Sequence, residues 1–185
     1  IETNEDGFKK IEQTLENGKK YSAIHIIGHG SAGQILFGNA LLTNESIENY
    51  KSTLGSIGES LTKKGDILFY GCNIAANDKG EALLKKISNF TKADIAASND
   101  LTGKGGDWDL EKKYGIVETK NVKVLDYQSN LLQNGITAIN VFMVEKPNAK
   151  DFRARSQSSS GQRSGGDDFI VTLERENVSN AGTLT

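Results

Sequence analysis

Two short apolar runs, each halted by glycine, constrain this chain more than any other feature. Ser22-Ala-Ile-His-Ile-Ile-Gly28 and Asp66-Ile-Leu-Phe-Tyr-Gly71 are rich in β-branched and aromatic residues and too short for helices, so both read as buried strands. One helical stretch separates them. A strand–helix–strand crossover makes its two strands parallel, and parallel neighbours bring the residues beyond their C-terminal ends to one edge of the sheet. Those residues are His29-Gly30 and Cys72, so the only cysteine and one of the two histidines are expected to meet. A thiol nucleophile and its base need that arrangement.

The rest of the pattern extends the alternation. Phe8, Ile11 and Leu15 predict a helix over 7–17, with Asn4 or Asp6 as cap and Gly18 as stop. A second helix opens at Thr43 or Asn44 with a stripe of Ile47, Tyr50, Leu54, Ile57 and Leu61, ended by Lys63, Lys64 and Gly65. Between the first strand and this helix, 31–38 reads as a loop turning into a short extended piece. Asn77 or Asp78 caps a third helix with Leu83, Leu84, Ile87 and Phe90 inward, and a third strand at 93–97 runs into a turn-rich loop at 98–103. This order predicts an α/β fold with a mostly parallel central sheet covered on both faces. Residues 106–110 and 114–118 suggest a β-hairpin at the sheet edge, and 122–132 closes a domain spanning 1–132. Residues 133–185 then form a β-rich appendage: an apolar run at 136–144, a Ser/Gly/Arg linker at 150–166, and a strand at 169–173. The chain opens without methionine, and Ile1-Glu-Thr reads as the tail of a strand whose beginning is missing.

Composition removes several classes of function. A formal net charge of −2 gives no electrostatic case for nucleic acid. No apolar stretch approaches the ~20 residues of a membrane helix. One cysteine excludes a disulfide framework within the chain, and with two histidines there are too few ligands for a zinc site.

Four blocks occur in order: Ala23-Ile-His-Ile-Ile-Gly-His-Gly-Ser-Ala-Gly33, Gly65-Asp-Ile-Leu-Phe-Tyr-Gly-Cys-Asn73, Ala96-Ala-Ser-Asn-Asp-Leu-Thr-Gly103 and Gly106-Asp-Trp-Asp-Leu110. The first two resemble the catalytic signatures of the caspase-like (clan CD) cysteine peptidases, among them caspases, gingipains, clostripain, separase and the self-cleaving domains of large bacterial toxins. All four together resemble an uncharacterised domain near the N-terminus of large bacterial surface proteins with cadherin-like or calcium-binding repeats. The resemblance covers 1–132. It implies a caspase-like three-layer sandwich and a cysteine endopeptidase, extracellular or at the bacterial cell surface, that processes either its own chain or a neighbouring surface protein. It requires no cofactor, with calcium as a possible structural or activating ion, and no membrane insertion.

On this reading Cys72 attacks the scissile carbonyl, His29 handles the protons, and the backbone N–H groups of Gly30 and Cys72 bind the oxyanion. Whether His29 acts on the thiol or on the scissile amide stays open. Asp100 is a turn residue in the plain reading; by resemblance to separase and the gingipains it binds a basic substrate side chain. His25 reads as a packed histidine, Ser31 and Asn73 as loop-shaping residues, and Asp107 and Asp109 as structural. Arg153, Arg155 and Arg163 offer a processing site in the linker. The alternative from another class is a non-catalytic structural or binding module of an adhesin-like surface protein.

Overall fold

The computed structural model describes residues 1–124, 130–132, 140–147 and 173–175. Arg153, Arg155 and Arg163, and most of the strand expected at 169–173, lie outside them.

The two glycine-halted runs are strands β1 (Tyr21–Ile27) and β5 (Leu61–Tyr70), and they pair in parallel with Ile27 opposite Tyr70. Strand β6 (Asp94–Ala97) lies parallel on the other side of β5. Two antiparallel strands complete a five-stranded sheet: β7 (Lys112–Tyr114) beside β6, and β9 (Val141–Glu145) beside β1. The fold is therefore mixed α/β, parallel at its centre, with antiparallel edges.

Side chains alternate across β1 and β5, so each strand feeds two apolar clusters. Ile24, Ile26, Ile67 and Phe69 join the first, with Phe8, Ile11 and Leu15 of α1 (Gly7–Leu15), Leu54 and Ile57 of α2 (Lys51–Glu59), and Leu83, Leu84 and Ile87 of α3 (Asn77–Thr91). Ala23, Ile27, Leu68, Tyr70 and Cys72 join the second, with Trp108, Leu110, Val122 and Leu131. Among the described residues the helices all pack on the first face, and extended segments cover the second, where helices on both faces were expected.

Several elements depart from the sequence reading. The second helix does not reach Lys63 and Lys64. It is a 3₁₀ turn (Ile47–Tyr50) followed by α2, and Leu61 already belongs to β5, where it lies opposite Tyr21. The Ser60 hydroxyl donates to Ile57 O (2.6 Å) at that helix end. The loop after β1 is an antiparallel meander of β2 (His29–Ser31), β3 (Gln34–Phe37) and β4 (Ala40–Thr43). The expected hairpin is absent: β7 pairs with β6, and Trp108 and Leu110 turn inward instead of forming a strand. Ile1 is not in a strand; its ammonium donates to Asn140 O (2.9 Å). The sheet also extends past the boundary expected at Leu132, because β9 satisfies the free edge of β1. A short strand β10 (Leu173–Arg175) pairs with β8 (Val122–Val124). No helix among the described residues is long and apolar enough to cross a membrane.

Candidate active site

The sheet delivers His29 and Cys72 to the same edge. β1 ends at Ile27, and Gly28 donates its N–H to Tyr70 O (3.0 Å), so the two chains leave the sheet side by side. Beyond this point only small residues fit. A Cβ on Gly30 would lie 2.5 Å from Ile74 Cγ1 and 2.8 Å from Cys72 O, and one on Gly71 would lie 2.8 Å from Gly28 O. Gly30, after His29, and Gly71, before Cys72, are thus required by close approach of two backbones. Gly30 touches the Cys72 backbone, as the parallel crossover predicts.

Both candidate residues are enclosed: His29 is 2% exposed and Cys72 0%. The loop after Cys72 is held by backbone bonds from Asn73 N to Asp100 O (2.6 Å) and from Ala75 N to Ser98 O (2.9 Å), with Asn73 in the left-handed region at φ 58°. The Cys72 sulfur receives the Thr102 N–H (3.3 Å), and the thiol donates to Thr102 O (3.5 Å). Burial pushes the thiol pKa above its ordinary value. The N–H groups of Thr102, Leu131 and Cys72 itself oppose that rise, and the charge of Asp100 adds to it. The resting sulfur is a protonated thiol, which needs a base to become a nucleophile. Thr102 Oγ1 is buried beside it with no hydrogen-bond partner among the described residues.

Asp100 is exposed, and its Oδ1 accepts from Ser98 Oγ (3.3 Å). It lies near enough to Cys72 to act on the thiol through its charge. Ser31 Oγ donates to Gln34 Oε1 (3.0 Å) within the meander.

His25 stands apart from this edge. Fully buried, it lies 3.1 Å from Tyr70 Oη through Nδ1 and 3.1 Å from Glu145 Oε1 through Nε2, while Tyr70 Oη accepts the Val122 N–H (3.0 Å). With the Val122 N–H donating to Tyr70 Oη, the Tyr70 hydroxyl can donate to His25 Nδ1 and His25 Nε2 to Glu145. The network ties β9 to β1.

Three backbone segments converge on Cys72, and sequence reasoning missed the third. Gly30 N–H donates to Leu131 O (3.0 Å), and Leu131 N–H donates to Thr102 O (3.1 Å). Gly30 also bridges in parallel to Leu132, and Gly103 bridges antiparallel to Asn130. The Leu-Leu pair within a polar stretch was the available signal.

Two acidic groupings have the spacing to hold a cation: Asp66, Asp94 and Glu118, and the exposed Asp100, Asp107 and Glu111. Asp66 is 1% exposed; Thr119 donates its N–H (2.9 Å) and hydroxyl (2.6 Å) to Oδ2, and burial raises the Asp66 pKa.

Comparison with known proteins gives one match. No curated protein and no solved structure matches this chain. The model of a domain of unknown function, DUF4347, matches residues 1–134, which include the central parallel strands, His29, Cys72 and the segment at 130–132; the chain belongs to the DUF4347 family.

Proposed function

We propose that this domain is a caspase-like cysteine endopeptidase that works through a His29–Cys72 dyad. The observation that carries the reading is the contact between the Gly30 and Cys72 backbones at adjacent parallel strand ends. It supports a site in which an imidazole, a thiol and two backbone N–H groups act together, the parts acyl transfer requires. Cys72 is the nucleophile and His29 moves the proton. The N–H groups of Gly30 and Cys72 stabilise the oxyanion, and a protonated resting thiol makes the base necessary. The substrate is a polypeptide, including its own chain, and a bacterial surface protein is the setting. Calcium fits the acidic groupings as a structural ion, and the reaction itself needs none.

Peptide hydrolysis tests the reading. The full chain, incubated with a diverse peptide library, is expected to cleave it. Cys72→Ala and His29→Ala each lose at least ~10³-fold in rate, as removal of a member of a catalytic unit does. Equal residual cleavage in all three proteins contradicts the assignment.

A second reading, a non-catalytic module that keeps this fold as a scaffold, is favoured by the complete burial of Cys72 and its raised pKa. Under it, neither substitution changes any hydrolytic rate.

A further inference from the structure

We infer that the Leu131–Leu132 peptide bond of this chain is the dyad's own substrate, bound in place for cleavage. The inference rests on the peptidase reading above and specifies its substrate.

The backbone hydrogen bonds carry it. A peptide held for attack by Cys72 needs its scissile carbonyl on the oxyanion donors, and its flanking N–H on an acceptor opposite. Leu131 is held by one of the two oxyanion donors and by the opposite acceptor. Its carbonyl accepts from Gly30 N–H (3.0 Å), the donor that lies against the Cys72 backbone, and its N–H donates to Thr102 O (3.1 Å). The antiparallel bridge of Asn130 to Gly103 and the parallel bridge of Leu132 to Gly30 lay 130–132 between the two loops, in the manner of a peptide docked by its backbone. The Leu131 N–H is also one of the three backbone donors acting on the thiol.

The side chains agree with the backbone. Leu131 is 0% exposed and belongs to the apolar cluster with Cys72, Tyr70 and Trp108, so the residue before the scissile bond sits in an apolar enclosure. Leu132, after the bond, is only partly buried, and its N–H donates to Asn130 Oδ1 (3.2 Å). Asp100, exposed on the neighbouring loop, is not in that cluster. The residue preference at this position is therefore an apolar side chain of about leucine's volume. Attachment in the same chain supplies a high effective concentration.

The step balances with one water. The Cys72 proton passes to the imidazole of His29, and the sulfur bonds to the Leu131 carbonyl carbon. The C–N bond to Leu132 breaks as that nitrogen takes the proton. Water then adds to the thioester, freeing the Leu131 carboxylate and restoring the Cys72 thiol, while the water's second proton goes to the new Leu132 amine.

Intact mass and N-terminal sequencing of the purified full chain, incubated with calcium and with a chelator, decide it. The expected products are 1–131 and 132–185 from the wild type and from the volume-conserving Leu131→Met, with neither product from Cys72→Ala. Leu131→Asp, which places a carboxylate in an apolar enclosure, is expected to slow the cut at least ~100-fold. Should that variant not fold, the position of the new N-terminus in the wild type decides alone. Cys72-dependent hydrolysis of library peptides with the 131–132 bond intact overturns this inference and leaves the peptidase reading standing. Cys72-dependent cutting elsewhere in the chain does the same. An equal cut at 131–132 in Cys72→Ala also overturns it. An uncut chain that hydrolyses no peptide overturns both readings.

Discussion

The two faces of the central sheet differ in what they bury. The helix-covered face holds aromatic and aliphatic side chains: Phe8, Phe37, Leu54 and Phe69 are at most 1% exposed. The other face, under extended segments, holds His25, Tyr70 and Cys72, with Thr102 and Glu145 also buried there. Buried polar groups are tolerated where partners are arranged for them, and each arrangement restricts geometry more than an apolar contact does. One face supplies stability, and the other spends some of it on placing buried polar and hydrogen-bonding groups.

Gly30→Ala probes that division most sharply. The added Cβ must displace Ile74 or the Cys72 carbonyl, so the Gly30 N–H, the proposed oxyanion donor, shifts. Hydrolysis is expected to fall at least ~100-fold, with a stability cost of about 1–3 kcal/mol. Unchanged hydrolysis in the folded variant breaks the link between this glycine and the chemistry.

Phe37→Ala acts on the opposite face. Its ring is fully buried, 5.9 Å from that of Phe8, so denaturant unfolding should report a loss of about 3–5 kcal/mol. The hydrolytic rate per folded molecule should stay unchanged at temperatures where the variant is folded. A parallel loss of rate shows that the two faces are not separable.

Tyr70→Phe removes one hydroxyl from the second face and leaves the Val122 N–H and His25 Nδ1 without that partner. The expected cost is about 1–3 kcal/mol by denaturant unfolding, with the sheet retained. No measurable loss contradicts the network.

Asp66→Asn gives the smallest effect and the opposite sign. Burial raises the Asp66 pKa in the folded state, so the group's contribution to stability is present below its ordinary value of 3.8 and is lost as pH rises through the folded value. At pH 7 the wild type carries this cost. Asparagine keeps an oxygen for the two Thr119 donors, so Tm should rise by about 2–4 °C at pH 7, with the gain shrinking toward pH 3.8. A lower Tm in cation-free buffer contradicts this accounting of Asp66.

Much of the arrangement was legible in the sequence. β1, β5 and β6 carry short apolar runs with glycine or alanine-serine stops, and α1 is capped by Asp6, whose Oδ1 accepts from Phe8 N and Lys9 N at 3.1 Å. The parallel crossover then placed His29 and Cys72 at one edge. What stayed hidden depended on distant partners. Leu61 continues a helical stripe by spacing, yet it pairs with Tyr21 because a strand edge is available there. β9 falls in the apolar run expected of an appendage, yet it joins the central sheet and finds its place through His25 and Glu145, a contact that spans 120 positions. Leu131 carried only an apolar signal; its role is defined by backbone bonds to Gly30 and Thr102, which no side-chain pattern announces.

Covalent labelling of Cys72 tests the dyad most directly. Peptidyl acyloxymethyl ketones carrying leucine or arginine beside the reactive group are applied to the native full chain in excess, long enough for local opening of 130–132 to admit them. Peptide mapping then locates the adduct. An adduct on Cys72 is expected in the wild type, with the leucine probe reacting faster, and at least ~100-fold slower labelling in His29→Ala. Equal labelling rates in the wild type and His29→Ala, or labelling only after denaturation, would contradict it.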